Sequence, residues 1–306
     1  MPPPPPKGPQ PTTVEQVAEP RSVSRTRRQS MKLEKVPVPP ATLGEGPRWD
    51  AATATLLWVD IPKGRVHRLD PAGDEQETID FGRPVGVAVP DAAGGLMVAL
   101  RDGFARHADG RTELVARPPE PPGNRMNDGA CDRAGRFFAG TKAEDDTPGA
   151  GSLYRLGPAR TCEKVLDGVT ISNGIGWSPD ERLMYYVDTV TDRVDVFDYD
   201  PETGDLDGRR EFAALPGPDG LTVDAEGHVW VALWGGGAVV RLRPDGRTDL
   251  TVDVPAANVT SCAFGGPDLD VLYVTTAWDG SAGGELWRCR TPHTGLPANP
   301  YRGLTP

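Results

Sequence analysis

The chain has 306 residues, enough for one large or two small domains with a sizeable core. Its formal charge of −11 argues against a nucleic-acid or anionic-membrane partner. Glycine (37) and proline (33) are abundant and long helical periodicities are missing, so many short strands joined by tight turns are expected.

Residues 1–30 carry eight prolines and five Lys/Arg against two Glu, a net of +3 that leaves −14 on the remainder. With no apolar periodicity, this stretch is expected to be a disordered extension, and the folded domain to run from 31 to 306. Arg27-Arg28 leads into "MKLEKVPVPP", which lacks the apolar core of an export signal, and no segment is long and apolar enough to span a membrane. Cys131, Cys162, Cys262 and Cys289 lie far apart with no C-x-x-C pair. Free thiols in a reducing cytosol, hence a cytoplasmic protein, are the expectation.

From residue 50 onward one pattern recurs. "DAATATLLWVD", "DAAGGLMVAL", "DRAGRFFAGT", "SPDERLMYYVDT", "DAEGHVWVAL" and "GPDLDVLYVTT" each begin with a polar turn and rise into a short aromatic or β-branched strand. Anchored on Trp58, Met97, Phe138, Tyr186, Trp230 and Tyr273, the copies are spaced by 39, 41, 48, 44 and 43 residues. Most are followed by a further strand, such as "GSLYRLGP" or "GAVVRLRPDG"; the second copy has only the weaker "GFARHADG". A period near 43 built from strands and turns is that of a β-propeller blade, so the chain is predicted to be an all-β, six-bladed β-propeller. "KLEKVPV" (32–38) is the expected closing strand, pairing with the blade that contains "ELWRCR". The segment "DYDPETGDLDGRREF" (198–212), within the 44-residue interval, is expected to lengthen an outer turn and carry no chemistry.

Five residues before the residue that opens each copy stand Glu45, Gly86, Asn127, Asn173, Asp219 and Ser261. In a propeller, equivalent positions on the innermost strands form a ring around the central channel. The dipeptides Asn173-Gly174 and Asp219-Gly220 also suit hairpin tips. Their shared phase, each followed by a strand and then a turn, favours the ring. Two carboxylates and two amides with no lysine or arginine among the ring positions would repel one another, and one divalent cation relieves that cost. All-oxygen ligation suits Ca²⁺, Mg²⁺ or Mn²⁺; Zn²⁺ usually brings histidine. His67, His107, His228 and His293 fall outside the ring and read as structural or surface residues.

At these residues "LGEGPRWD", "RMNDGACDRAGRFFAGT", "ISNGIGWSPD" and "PDGLTVDAEGHVWVAL" resemble the SMP-30/gluconolactonase family. The likeness covers about residues 33–300. It implies a metal-dependent hydrolase that opens sugar (aldono) lactones such as gluconolactone, with one catalytic metal in the channel of a six-bladed propeller. By that resemblance the metal ligands are Glu45, Asn173 and Asp219, with Asp219 also the general base. Arg125, Asn127 and Asp145 would contact the substrate; Asp145 stands where a glutamate is frequent, and Glu144 beside it is the alternative. The implied partner is a small-molecule lactone, with the chain a monomer or weak homo-oligomer. Two other readings stay open: an organophosphate or aryl-ester hydrolase on the same scaffold, and a non-catalytic calcium-binding propeller.

Overall fold

Runs such as "TLLWVD", "LMVAL" and "VWVAL" are apolar at nearly every position, the pattern of a strand covered on both faces. In the computed structural model, which describes residues 1, 27–28, 31–72 and 75–303, these are the fully buried second strands of their blades. Each of six blades is an antiparallel sheet whose four strands run outward from the channel. The inner strands are Gly44–Asp50, Val85–Pro90, Asn124–Cys131, Ser172–Trp177, Pro218–Val223 and Val259–Gly265. Each touches the next, and the last touches the first, which closes the ring.

Closure joins the two ends of the chain as the sequence suggested. Glu34 and Lys35 pair with Arg288 and Trp287, completing blade 6. The weak second copy forms a full third strand at Gly103–Ala108. Arg27–Arg28 pairs in parallel with Thr248–Asp253 and adds a fifth strand to blade 5. Apart from Met1, the rest of the 1–30 extension lies outside the described residues.

The core is six apolar layers, each between two neighbouring blades. All six repeat anchors are buried, and Trp230 is wholly enclosed; replacing such a residue with alanine costs about 3–5 kcal/mol. The segment 198–212 forms the turn between Arg193–Tyr199 and Leu206–Ala214, and carbonyls of that turn accept hydrogen bonds from Arg136 of blade 3, while the 48-residue interval holds a longer loop between Phe137–Ala143 and Gly151–Leu156. Among the described residues the one helical element is the short 3-10 turn Thr189–Thr191, and no helix is long and apolar enough to cross a membrane.

After the last blade the chain runs across the lower end of the channel. Gly295 donates to Leu269 O, the Asn299 amide to Cys131 O (3.4 Å), and Tyr301 bonds back to blade 2 through Pro90 O. Residues 295–302 thus strap blades 6, 3 and 2 together from below.

Candidate metal centre

All six inner strands break register near the ring position, between Glu45/Arg48, Val85/Val87, Met126/Gly129, Ser172/Ile175, Pro218/Leu221 and Val259/Ser261. A β-bulge re-aims side chains that a regular strand would turn to alternate faces. The Asn-Gly and Asp-Gly dipeptides are therefore bulges in mid-blade, not hairpin tips. Glycine is needed at two of them because the inner strands converge: a Cβ on Gly174 would lie 2.7 Å from Asp219 O, and one on Gly220 2.1 Å from Ser261 Oγ.

The bulges bring Glu45, Asn127, Asn173 and Asp219 into one buried polar cluster. Arg125 Nη1 donates to Asn127 Oδ1 (2.7 Å) and to Met126 O (3.0 Å). Asn127 Nδ2 donates to Asn173 Oδ1 (2.9 Å) and to Ser172 O (2.7 Å), and Asn173 Nδ2 donates to Thr189 Oγ1 (2.7 Å). The amide of Asn173 is thereby oriented, its nitrogen bonded to Thr189 and its oxygen to Asn127. Glu45 Oε2 accepts the Gly46 N–H at 2.9 Å. Asp219 Oδ1 is buried with no hydrogen-bond partner among the described residues.

Burial pushes the Glu45 carboxyl up to about 8, with the Asp128 charge adding to the rise. The Asp219 carboxyl is raised too, by burial first and then by Glu45 and Asp128. No ring position supplies a cation, but Arg125 near Glu45 and Lys142 near Asp219 counter the rise in part, so the cluster is less bare of basic groups than the ring positions alone suggested. An orphaned buried carboxylate oxygen, an oriented amide oxygen and repelling carboxyl groups are the donor set that a hard divalent cation satisfies. The residues fit such an ion.

Asp128 is a functional group that the ring positions do not include. It is buried, its Oδ1 accepts the Gly129 N–H at 2.6 Å, and its charge acts on both Glu45 and Asp219. The signal was present in the repeat: where blades 4 and 5 have Gly174 and Gly220 after the ring residue, blade 3 has Asp128. Asp145 is placed at the exposed rim, where its Oδ1 accepts Thr147 Oγ1 (2.7 Å) and N–H (3.1 Å). Its neighbour Glu144 pairs with Arg101. Neither reaches into the ring in this structure.

A second group of possible ligands, Asp224, Glu226 and His293, lies at the opposite end of blade 5, with ligand atoms within 4.8 Å of one another. Arg241 already pairs with Asp224, Glu226 and Asp249, so this group is an ion-pair network with its cation built in. His67 stacks on Trp58 and bonds Thr78, away from the channel. All four cysteines are free thiols.

The fold is a six-bladed propeller, and the buried oxygen-rich cluster in its channel has the donor set of a divalent-cation site. The SMP-30/gluconolactonase/LRE-like region profile matches residues 43–278, and the chain belongs to that family. It is 39% identical to regucalcin of Xenopus laevis over 279 residues, covering 87% of this chain and 93% of that protein. Among solved structures it is similar to a luciferin-regenerating enzyme (TM-score 0.85, 32% identity, 89% of this chain and 100% of that one). It is similar to a calcium-binding regucalcin from Agrobacterium tumefaciens as well (TM-score 0.85, 30% identity, 89% and 98%).

Proposed function

We propose that this protein hydrolyses sugar lactones to the corresponding acids, using one divalent cation held by Glu45, Asn173 and Asp219. The observation that carries the reading is the orphaned Asp219 Oδ1 beside an oriented asparagine pair and an arginine with donors to spare. Family membership supports it, since the family includes gluconolactonases by name. When bound, the cation supplies Lewis-acid polarisation of the lactone carbonyl and a more acidic water.

The remaining work falls to the chain. The Asp219 carboxylate takes a proton from the attacking water as its oxygen bonds the carbonyl carbon, and returns that proton to the ring oxygen as the C–O bond breaks. Arg125 uses one nitrogen, Nη1, to hold Asn127 and the backbone; its other donors serve the hydroxyls of the sugar or the carboxylate of the product. Both N–H groups of Asn127 are spent on Ser172 and Asn173, so toward a substrate it offers the remaining lone pair of Oδ1. A cavity of about 300 Å³ between the rims of blades 2 and 3 is lined by Arg125 but by none of the three proposed ligands.

The test is acid release from glucono-δ-lactone by metal-stripped protein, with Ca²⁺, Mn²⁺, Mg²⁺ or Zn²⁺ returned singly and Asp219→Asn alongside. Metal-dependent acceleration that the variant lacks is the expected result. Rates equal to the buffer blank with every metal would overturn gluconolactone as substrate. A xylonolactone and phosphotriester screen then separates another hydrolase from a propeller that only binds calcium.

A further inference from the structure

Below the ring, the channel widens into a second cavity of about 340 Å³, walled by the lower halves of the inner strands and floored by the strap at 296–299. Arg48 projects from blade 1 into its wall. Nη2 donates to Gly129 O at 2.8 Å, and the other guanidinium donors have no partner among the described residues; Nε is both buried and orphaned. Asp128, on the same cavity, acts on this cation through space, but Arg48 forms no salt bridge among the described residues. Burial pulls its affinity for a proton down from the ordinary arginine range. The other arginine on this cavity, Arg133, is committed to Pro179 O and Glu181.

Trp177 of blade 4 lines the same cavity. It is only 7% exposed, and its indole Nε1 donor is unpaired among the described residues. Two side chains with unsatisfied donors, one of them cationic, therefore line one cavity, which Asp128 lines as well. A half-buried guanidinium without a counter-ion in contact is costly, and an unpaired indole N–H adds to that cost. Both costs are relieved by one anion with two acceptors.

The walls say more about the ligand. Ile175, Leu221, Val223 and Phe264 line the cavity with apolar surface, and its volume is that of a small-molecule site, larger than a lone halide fills. A planar guanidinium fork matches a planar carboxylate. We infer that the lower channel is a binding site for a small organic carboxylate, anchored by Arg48 and assisted by Trp177, distinct from the metal centre above it. The inference does not depend on the proposed lactonase reaction.

The experiment is calorimetric titration of the full-length protein with acetate, butyrate and benzoate at constant ionic strength over a chloride background. Metal-free Asp219→Asn serves as the host, so that the upper site is silenced. Saturable binding is expected, tighter for butyrate or benzoate than for acetate, and weakened at least about tenfold by Arg48→Met, as loss of a charged hydrogen bond predicts. The indole N–H resonance of Trp177, identified by its absence in Trp177→Phe, should shift during the titration; that readout needs no Arg48 variant to fold. Absence of saturable binding, or binding unchanged by Arg48→Met with the indole resonance unmoved, would overturn the inference and leave ordered water as the occupant. Binding seen only in protein with Asp219 intact would do the same, assigning the carboxylate to the upper site.

Discussion

Asp219 and Asp224 stand five residues apart at the two ends of one stretch of blade 5, both buried, in opposite electrostatic circumstances. Asp224, in the lower turn, accepts from the backbone N–H groups of Glu226 and His228, from Trp230 Nε1 (2.9 Å) and from Arg241 Nε (2.8 Å). Asp132 of blade 3 repeats the arrangement with Arg136 and Tyr199. Asp219, on the ring, has one oxygen with no partner and two carboxyl groups acting on it. A neutralised, fully bonded carboxylate holds the fold together. One left unneutralised at the same depth is a place where a cation belongs, because the Gly220 N–H and the distant Lys142 offset its burial only in part.

Replacing each aspartate in turn should separate chemistry from stability. Asp219→Asn should lower kcat/KM on the responsive lactone by about 10²–10⁴-fold while leaving the metal-free melting temperature the same or higher. Asp224→Ala should do the reverse, costing about 3–5 kcal/mol in denaturant unfolding because it strands Arg241 in a buried network. An Asp224 variant with wild-type stability would break the comparison.

Calcium at a hundredfold excess over its Kd should stabilise the wild type by about 2.7 kcal/mol, and Asp219→Asn far less. The metal-free protein sharpens the point through pH. With Glu45 near 8 in the folded state against an ordinary 4.5, the fold keeps a proton that the unfolded chain releases. Its contribution is therefore fully present below about pH 4.5 and is lost as pH rises through about 8. Melting curves in chelator should show that decline; Glu45→Gln should flatten it, and added Ca²⁺ should oppose it. The smallest effect belongs to the rim. Because Asp145 is exposed and bonded within its own turn, Asp145→Asn should change KM by less than about tenfold and leave kcat alone, as loss of an exposed hydrogen bond predicts. A larger fall in kcat would show that this loop closes over the substrate.

Sequence alone determined the blade count and the closing strand, since a 43-residue period and two complementary chain ends are one-dimensional facts. It also supplied the ring, because equivalent repeat positions are equivalent in space. What it did not carry was direction and neighbourhood. That Asn127 and Asp128 enter the channel together depends on a bulge between Met126 and Gly129, a register property of two strands that neither strand encodes by itself. That Arg125 and Lys142 soften the carboxylate cluster, that Arg48 has no contacting counter-ion among the described residues, and that residues 295–302 cross beneath the channel follow from packing among several blades. Ion pairing and burial are sums over neighbours far apart in the chain, so only the closed ring fixes which carboxylates are already satisfied and which still call for a cation.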